Sequence, residues 1–249
     1  MPNKRIIEIA QVEHNKEVAP DIYLLTLQSP HIAKAAQPGQ FVNFSMMTGA
    51  SANLLKRPFS IHNVSGKSLQ LLYRIKGEGT QAMTLLRKGD AVELLGPLGT
   101  AFTLCKDKTV LLVGGGIGIA PLIYTESMLR KHNKTLLLYG VKTKADAVTF
   151  KGAPVHLHED DQEKTFVCEG LDQRLKDWKI TDIKTCGPTP MMKEIVAIAK
   201  KLKIPVEVSM ESHMACGFGV CLGCVVQTKK EGYRKVCSDG PVFDGNDIW

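Results

Sequence analysis

The amino-acid sequence predicts a β barrel plus an α/β domain, with a short cysteine-rich segment at the end of the chain. Three observations support this fold class. Short strand-like runs fill the first hundred residues, strands then alternate with helices, and four of the seven cysteines lie between positions 216 and 237. A chain of 249 residues is long enough for two hydrophobic cores. We place the boundaries at 1–103, 104–209 and 210–249.

The first segment is predicted to be a small antiparallel barrel, because its strand-like runs are short and evenly spaced. The turn signals QPGQ, SGK and RKGD separate these runs. One helix is expected at Thr80–Lys88, where apolar residues recur on one face. The predicted strands are Ile22–Ser29, Phe41–Met46, Phe59–Val64, Ser68–Ile75 and Asp90–Pro97.

The second segment is predicted to be a doubly wound parallel sheet. Apolar runs such as KTVLLVGGG and KTLLLYGV alternate with helical stretches such as APLIYTESMLRKHN. This alternation is typical of βαβ units. From Met210 onward the alternation ends, and VVQTKKEGYRKV predicts a hairpin that turns at Lys229–Gly232.

Composition and charge exclude several classes of protein. The net charge of +7 indicates anionic cofactors or an acidic partner rather than nucleic acid, because no basic stripe interleaved with aromatic residues is present. No apolar run approaches the ~20 residues of a membrane span, and the first ten residues do not resemble a signal peptide. We therefore expect a cytoplasmic protein with no membrane span, in which cysteines serve as thiols or metal ligands.

A glycine loop follows the first strand of the α/β segment. The run GGGIGIAP contains Gly114, Gly115, Gly116, Gly118 and Pro121. A strand, a glycine turn and a helix in this order present backbone N–H groups to a diphosphate, although an ordinary tight turn is the alternative. The next strand lacks the usual acidic residue and is followed by Lys142 and Lys144. This leaves the choice between NAD and NADP open.

The barrel segment carries a second predicted phosphate site. Gly79 and Thr80 begin a helix, so their N–H groups are available to an anion. Arg57 and Arg74 add positive charge suited to phosphate. Surface arginines and a capping turn are the alternative, but two phosphate sites in two domains would suit two dinucleotides.

The cysteines of the last segment have the spacing C-x4-C-x2-C-x12-C, formed by Cys216, Cys221, Cys224 and Cys237. A gap of four followed by a gap of two is the plant-type spacing for a [2Fe–2S] cluster. Structural zinc sites usually pair two CxxC units, so zinc is the alternative. Small residues between the cysteines allow the loop to direct N–H groups at sulfur.

These motifs together resemble a known family. The stretches RPFS, GEGT, GGGIGIAP and CGPTPMM resemble the ferredoxin–NADP reductase superfamily. The stretch MESHMACGFGVCLGCVV resembles, more narrowly, the electron-transfer subunits of type B dihydroorotate dehydrogenase. The resemblance implies a Greek-key FAD-binding barrel, an NAD-binding α/β domain and a C-terminal [2Fe–2S] segment.

The resemblance also assigns residues to each cofactor, with Ser60 and Cys186 as the candidate catalytic residues. Phe59 stands where the family more often has an aliphatic residue or tyrosine. The FAD residues are Arg57, Pro58, Phe59, Ser60, Leu72, Tyr73, Arg74, Gly79 and Thr80. The nicotinamide-nucleotide residues are Gly114, Gly115, Gly116, Gly118, Pro121, Gly187 and Pro188, and the cluster ligands are Cys216, Cys221, Cys224 and Cys237.

Electron counting sets the expected order of transfer. A [2Fe–2S] cluster passes single electrons, NAD accepts only a hydride, and a flavin can do both, so FAD stands between the other two. No acid–base set for dihydroorotate oxidation is evident, and His158–Asp161 is expected to be a polar loop of unassigned role. The resemblance implies instead an FMN-containing catalytic partner, two copies of each subunit forming a heterotetramer.

Two other functions remain open at the level of sequence. The chain could be a reductase subunit of the same superfamily that serves sulfite reductase, hydrogenase or an NADH:NADP transhydrogenase. It could also be a nucleotide-binding module stabilised by zinc. The basic residues Lys229, Lys230, Arg234 and Lys235 would line a partner contact or form a solvated hairpin face.

Overall fold

The computed structural model describes residues 5–47, 55–150, 155–160 and 166–249. The first part of the chain is a closed antiparallel barrel with the strand order β1-β2-β5-β4-β3-β6, which confirms the predicted barrel. Its strands are β1 (Ile6–Ala19), β2 (Ile22–Gln28), β3 (Phe41–Met46), β4 (Arg57–Ser65), β5 (Ser68–Arg74) and β6 (Ala91–Leu98). Two short helices connect them, α1 (Pro30–Ala35) and α2 (Glu78–Met83).

Two expectations for the barrel were wrong in detail. The sequence prediction had five strands and missed β1, which pairs with both β2 and β6. The alternation of β1 is hidden because Ile7 and Ile9 face solvent while Glu8 is buried. The predicted helix Thr80–Lys88 begins earlier and is shorter, since α2 spans Glu78–Met83 and the chain leaves it through i to i−3 hydrogen bonds.

The second part of the chain is a six-stranded sheet with the order β14-β11-β10-β7-β8-β9. Five strands are parallel, as predicted, and β14 is antiparallel to β11. The strands are β7 (Thr109–Gly115), β8 (Lys134–Val141), β9 (Val155–Glu159), β10 (Asp182–Cys186), β11 (Val206–Ser209) and β14 (Val242–Asp244). The helices are α3 (Ala120–Leu129), α4 (Leu171–Asp177), α5 (Thr189–Lys201) and α6 (Gly245–Ile248). Among the described residues, none of the helices is long and apolar enough to span a membrane.

The strand order of this sheet reverses between β7 and β10. Ligands of doubly wound sheets bind at the carboxyl ends of the strands where the order reverses. The two neighbouring strand ends carry Gly114 and Cys186, which are paired in register. The fold therefore brings the predicted glycine loop and the CGP stretch to the place where a nucleotide would bind.

The cysteine-rich segment is integrated with both other parts of the molecule. Its hairpin, β12 (Val225–Thr228) and β13 (Gly232–Lys235), is confirmed with the predicted turn. Its last strand, β14, extends the sheet through the pair Val208 and Phe243. The buried Cys224 and Cys237 share one hydrophobic cluster with Phe41 of the barrel. The segment thus lies against the barrel and the sheet at once.

A buried ion triad braces the opposite end of the sheet. The ammonium group of Lys184, 2% exposed, lies 2.9 Å from Asp182 and 2.6 Å from Glu207. Thr103, which follows the barrel, binds both carboxylate oxygens of Glu207. Its N–H donates at 3.0 Å to Oε2, the oxygen that Lys184 also contacts, and its hydroxyl donates at 2.7 Å to Oε1. This network fastens the segment that follows the barrel to the sheet.

Candidate functional site

The main cavity of the site lies between the barrel and the sheet. Its volume is about 240 Å³, and strands β4 and β5 form one wall while the carboxyl ends of β10 and β11 form the other. Predicted residues that line it are Pro58, Phe59, Ser60, Leu72, Tyr73, Arg74, Thr80, Pro121 and Cys186. The cavity therefore brings the two candidate catalytic residues, Ser60 and Cys186, to one space between two domains.

The glycine loop lies at the sheet side of this cavity, where Ile117, Ala120 and Pro121 line it. The four predicted glycines, Gly114, Gly115, Gly116 and Gly118, are not among the lining residues. Gly114 and Gly115 end β7, Gly116 begins a 3-10 turn, and Pro121 lies in the first turn of α3. Gly118 packs against the backbone of Cys186 and Gly187, and Pro188 directly precedes α5. These predicted nucleotide residues are thus neighbours in space, although the two stretches lie about 70 positions apart in the sequence.

Cys186 is a buried neutral thiol. Burial raises its pKa to about 12, the charge of Glu211 adds to this rise, and a hydrogen bond with Ser209 opposes it. A thiol with so high a pKa is a poor nucleophile, because the thiolate is the reactive form. Its burial and high pKa therefore favour a packing role for Cys186 at the carboxyl end of strand β10.

A second cavity, of about 530 Å³, adjoins the first on the barrel side. It is open to solvent and is bordered by Arg57, Pro58, Phe59, Lys76, Gly77, Glu78, Gly79 and Thr80. The guanidinium group of Arg57 lies directly over Gly79, where any Cβ would collide with it. An arginine beside a glycine backbone is an arrangement that suits a phosphate group.

Thr80 shapes this turn through its side chain. Its hydroxyl accepts hydrogen bonds from the backbone N–H groups of Lys76 at 2.8 Å and Gly77 at 3.2 Å. The same hydroxyl donates a hydrogen bond to the carbonyl of Gly77 at 3.0 Å. The hydroxyl is therefore occupied by the turn itself. Its contribution to an anion site is to hold the neighbouring N–H groups in place.

Two predicted FAD residues have additional roles in the fold. The Tyr73 side chain is 1% exposed and donates its hydroxyl to Asn15 Oδ1 at 3.2 Å, so the ring belongs to the barrel core. Arg74 lies 3.7 Å from Asp146, which follows β8 of the sheet. Arg74 therefore links barrel and sheet at the rim of the main cavity.

His62 is a second link between the barrel and the sheet domain. Its Nδ1–H donates to the carbonyl of Ala120 at 2.9 Å, which fixes the start of α3 against strand β4. Burial lowers the pKa of His62 to about 4, although the bond to Ala120 opposes this shift. A neutral imidazole thus supports the wall that contains Ser60 and Pro121.

The cysteine loop directs backbone N–H groups at sulfur. Cys221 N–H donates to Cys216 Sγ at 3.5 Å, and Cys237 N–H donates to Cys224 Sγ at 3.4 Å. Desolvation acts to raise the pKa of Cys216, but the N–H groups of Cys221, Phe218 and Val220 bring that pKa down to about 6. Loops that bind iron–sulfur clusters use such N–H to sulfur bonds to stabilise negative charge.

The four thiols form two contacting pairs, Cys216 with Cys221 and Cys224 with Cys237, and thiols are the ligands that an iron–sulfur cluster requires. Burial, together with the hydrogen bond and charge of Cys224 and the charge of Cys216, raises the pKa of Cys237 to about 12. Across residues 5–47, 55–150, 155–160 and 166–249, however, no three metal-ligating side chains are preassembled into a metal site. All seven cysteines are free thiols. The loop therefore supplies donors and N–H groups that would close around an inorganic cluster.

Sequence reasoning missed one whole wall of the main cavity. This wall is formed by Ser209, Met210, Glu211, Ser212 and Met214. The cavity is completed by Phe41, Lys76, Ile117, Ala120 and Pro241. The missed wall directly follows β11, so the rule that ligands bind at carboxyl ends of parallel strands would have identified it. By contrast, His158 is buried at the end of β9, 3.6 Å from Asp160, and lines neither cavity. Asp161 lies outside the described residues.

Comparison with known proteins gives a consistent result. A family model for the iron–sulfur cluster binding domain of dihydroorotate dehydrogenase B matches residues 211–249. The electron-transfer subunit of dihydroorotate dehydrogenase B (NAD(+)) from Caldanaerobacter subterraneus subsp. tengcongensis is 33% identical to this chain. The alignment covers 96% of this chain and 97% of that subunit. The corresponding subunit of Clostridium perfringens is 36% identical, and the alignment covers 96% of each chain.

Solved structures share the fold at lower identity. The structure of an NADH-dependent reduced ferredoxin–NADP oxidoreductase superposes with a TM-score of 0.85 at 24% identity, covering 97% of this chain and 90% of that one. Phthalate dioxygenase reductase superposes with a TM-score of 0.66 at 17% identity, covering 89% and 86%. These neighbours confirm the barrel and α/β architecture expected from the sequence.

Proposed function

The chain belongs to the family of electron-transfer subunits of dihydroorotate dehydrogenase B, and on that premise we propose that it couples dihydroorotate oxidation in a partner subunit to the reduction of NAD+. The balanced reaction is dihydroorotate plus NAD+ giving orotate, NADH and one proton. Two electrons leave dihydroorotate in the partner, and the same two electrons reach NAD+ as part of a hydride.

Two cofactors would make this coupling possible. When bound, a [2Fe–2S] cluster supplies single-electron exchange, and FAD supplies the change from single electrons to a hydride. The residues present fit both groups. Cys216, Cys221, Cys224 and Cys237 would hold the cluster, and residues 210–249 would form its segment.

Residues of the barrel, 1–103, would hold FAD. Arg57 and the backbone around Gly79 and Thr80 would bind the diphosphate, since this cavity is positively charged and open. Pro58, Phe59, Ser60, Leu72, Tyr73 and Arg74 would form the wall beside the flavin ring. The apolar part of that wall would limit the access of water to the bound flavin ring.

Residues of the α/β domain, 104–209, would hold NAD. Gly114, Gly115, Gly116, Gly118 and Pro121 would bind its diphosphate, and Cys186, Gly187 and Pro188 would adjoin its nicotinamide. In support, Pro121 and Cys186 line the main cavity, and Gly118 packs against Cys186 and Gly187. We assign Ser60 a hydrogen bond to the flavin near its reactive nitrogen. Ser60→Ala should slow hydride transfer measured by stopped-flow absorbance, and unchanged rates would remove this role.

The observation that supports the proposal most directly concerns strand β3. Phe41 of this strand lines the cavity between barrel and sheet. Two residues further on, the Asn43 amide donates to the carbonyl of Cys216 at 2.8 Å. One strand therefore contacts both the proposed flavin cavity and the cysteine loop, as electron exchange between two cofactors requires.

The partner would be an FMN-containing catalytic subunit, with two copies of each subunit in a cytoplasmic heterotetramer. Cys221 and its neighbours Val220 and Leu222 are exposed, so the cysteine loop can approach a partner closely. The neighbouring cation Arg234 is paired with Asp239 at 3.5 Å and with Glu231. The apolar loop rather than the basic hairpin is therefore the favoured centre of the contact.

The test is co-purification with the catalytic subunit followed by an assay of dihydroorotate-dependent NADH formation. The complex should form NADH, and Cys221→Ala should abolish this while the partner still oxidises dihydroorotate with an artificial acceptor. Cys105→Ala is the matched control, because Cys105 lies outside the cysteine loop and should have no effect. A complex that oxidises dihydroorotate but forms no NADH would refute the proposal.

A further inference from the structure

Asn43 is a polar side chain in an otherwise apolar strand. Strand β3 is buried on both faces, with Phe41, Val42, Asn43 and Phe44 all less than 4% exposed. Because side chains alternate along a strand, Val42 and Phe44 face the barrel core while Phe41 and Asn43 face outward. The outward face is the one covered by the cysteine-rich segment.

Within the described part of the barrel, no side chain hydrogen-bonds to the Asn43 amide. Its Nδ2 donates at 2.8 Å to the carbonyl of Cys216, which lies 173 positions further along the chain. Its Oδ1 is buried without a hydrogen-bond partner among the described residues. Among the described residues, the hydrogen bond that holds the Asn43 side chain is therefore the one to the cysteine loop.

Gly217 is the matching part of this contact. Its φ of +72° is in the left-handed region that favours glycine, and a Cβ there would collide with the Asn43 amide. Gly217 directly follows Cys216, the first proposed cluster ligand. It has to lack a side chain because a Cβ would keep the loop from reaching Asn43. Two independent features, a buried amide and a glycine, specify the same contact.

The position of Asn43 in the sheet adds a functional consequence. Asn43 is paired with Pro58 of strand β4, a residue of the proposed flavin wall. The chain of contacts from Cys216 through Asn43 to Pro58 is therefore short. A change at Asn43 would move the cysteine loop relative to the flavin wall.

We propose that Asn43 is a positioning residue that anchors the first cysteine of the cluster loop to the barrel, beside the flavin wall. This inference rests on the proposed function for its redox meaning, while the anchoring contact itself is a property of this chain. Asn43 acts through the backbone of Cys216 and touches neither proposed cofactor. Its loss should release the loop while the barrel continues to bind FAD.

The test measures iron loss from the purified full-length protein to a chelator, with FAD content measured in parallel. Asn43→Ala should accelerate iron loss about two- to twelvefold, the range that corresponds to one net hydrogen bond of about 0.5–1.5 kcal/mol. FAD content should stay at the parent value. Asn63→Ala is the matched control, because Asn63 is a barrel asparagine that bonds Gln70 at 3.2 Å and not the loop.

A double-mutant cycle separates a direct contact from general destabilisation. Gly217→Ala alone should also accelerate iron loss, because the new Cβ displaces the Asn43 amide. In the double variant the space left by Asn43→Ala accommodates that Cβ, so the combined acceleration should be smaller than the product of the two single effects. Three results would overturn the inference. The combined acceleration could equal the product of the two single effects, Asn43→Ala could lose iron at the parent rate, or Asn43→Ala could lose FAD as fast as it loses iron.

Limited proteolysis of the iron-free full-length chain distinguishes failure of this inference from failure of the proposed function. The anchoring bond joins two groups of the protein chain itself, so Asn43→Ala should accelerate cleavage within residues 216–224. If the parent protein bound no iron but Asn43→Ala were cleaved faster than the parent, the proposed function would be refuted and the anchoring contact would still be supported. Equal cleavage of parent and variant would contradict the anchor.

Discussion

Replacing His62 with asparagine should remove a large part of the acid sensitivity of this protein. The imidazole is 5% exposed and donates to the Ala120 carbonyl, and burial lowers its pKa to about 4. In the unfolded chain the same group has a pKa near 6.5. Between these two values the unfolded state binds more protons than the folded state. The free energy of unfolding therefore falls as the pH is lowered from 6.5 to 4.

The magnitude follows from the two pKa values. The His62 contribution lost is about 2 kcal/mol between pH 7 and pH 5, and about 3 kcal/mol by pH 4. His62→Asn retains an N–H donor of similar position but does not titrate. Urea unfolding at pH 7, 6 and 5 should therefore show a smaller loss of stability in the variant than in the parent.

His14→Asn provides the matched control for this measurement. His14 is an exposed residue on barrel strand β1, so its replacement should leave the pH dependence of the parent unchanged. Parallel stability curves for the parent and His62→Asn would refute the reasoning. They would mean that His62 is protonated in the folded protein or that the contact with Ala120 opens easily.

Two further substitutions test the cofactor cradle and the brace of the sheet. Gly79→Ala should weaken FAD binding, measured by flavin fluorescence, about tenfold because the new Cβ displaces the Arg57 guanidinium from the diphosphate cavity, whereas Gln81→Ala, at an exposed position of the same helix that lines neither cavity, should have little effect. Lys184→Met should lower the free energy of unfolding, measured with urea, by about 3–5 kcal/mol, because two carboxylates would lose their buried counter-charge. Lys200→Met, at an exposed position, is its control and should change stability little.

The sequence predicted the parts of the site that depend on local chemistry. The glycine loop at Gly114–Gly118 and the spacing from Cys216 to Cys237 each lie within a short stretch whose composition limits the backbone conformation. The alternation of strands and helices then determined which strand ends meet. For this reason the meeting of the glycine loop and Cys186 at the strand-order reversal could be expected before the structure was known.

Other features depend on contacts that no local pattern contains. Strand β1 was missed because Ile7 and Ile9 are exposed in place of the polar residues that alternation requires. The bond from Asn43 to Cys216 spans 173 positions and involves a single buried amide. The addition of β14 to the sheet depends on three residues only. Such features follow from tertiary packing rather than from propensity.

The wall after β11 shows a different limit. Glu211 belongs to no spacing motif, so a local pattern assigns it no role in the site. In the structure Glu211 faces the same cavity as Ser60 and Cys186. Its position follows from the parallel sheet, since β11 is the next strand beyond β10.

The central claim is that four cysteines of this chain hold a [2Fe–2S] cluster against a barrel that binds FAD. The most direct measurement is the iron, acid-labile sulfide and FAD content of anaerobically purified protein, together with its electron paramagnetic resonance spectrum after reduction. We expect iron and sulfide in equal amounts, two of each per FAD, and a reduced [2Fe–2S] signal that Cys224→Ser abolishes without loss of FAD. Protein that contains zinc in place of iron, or that lacks both labile sulfide and FAD, would contradict the account.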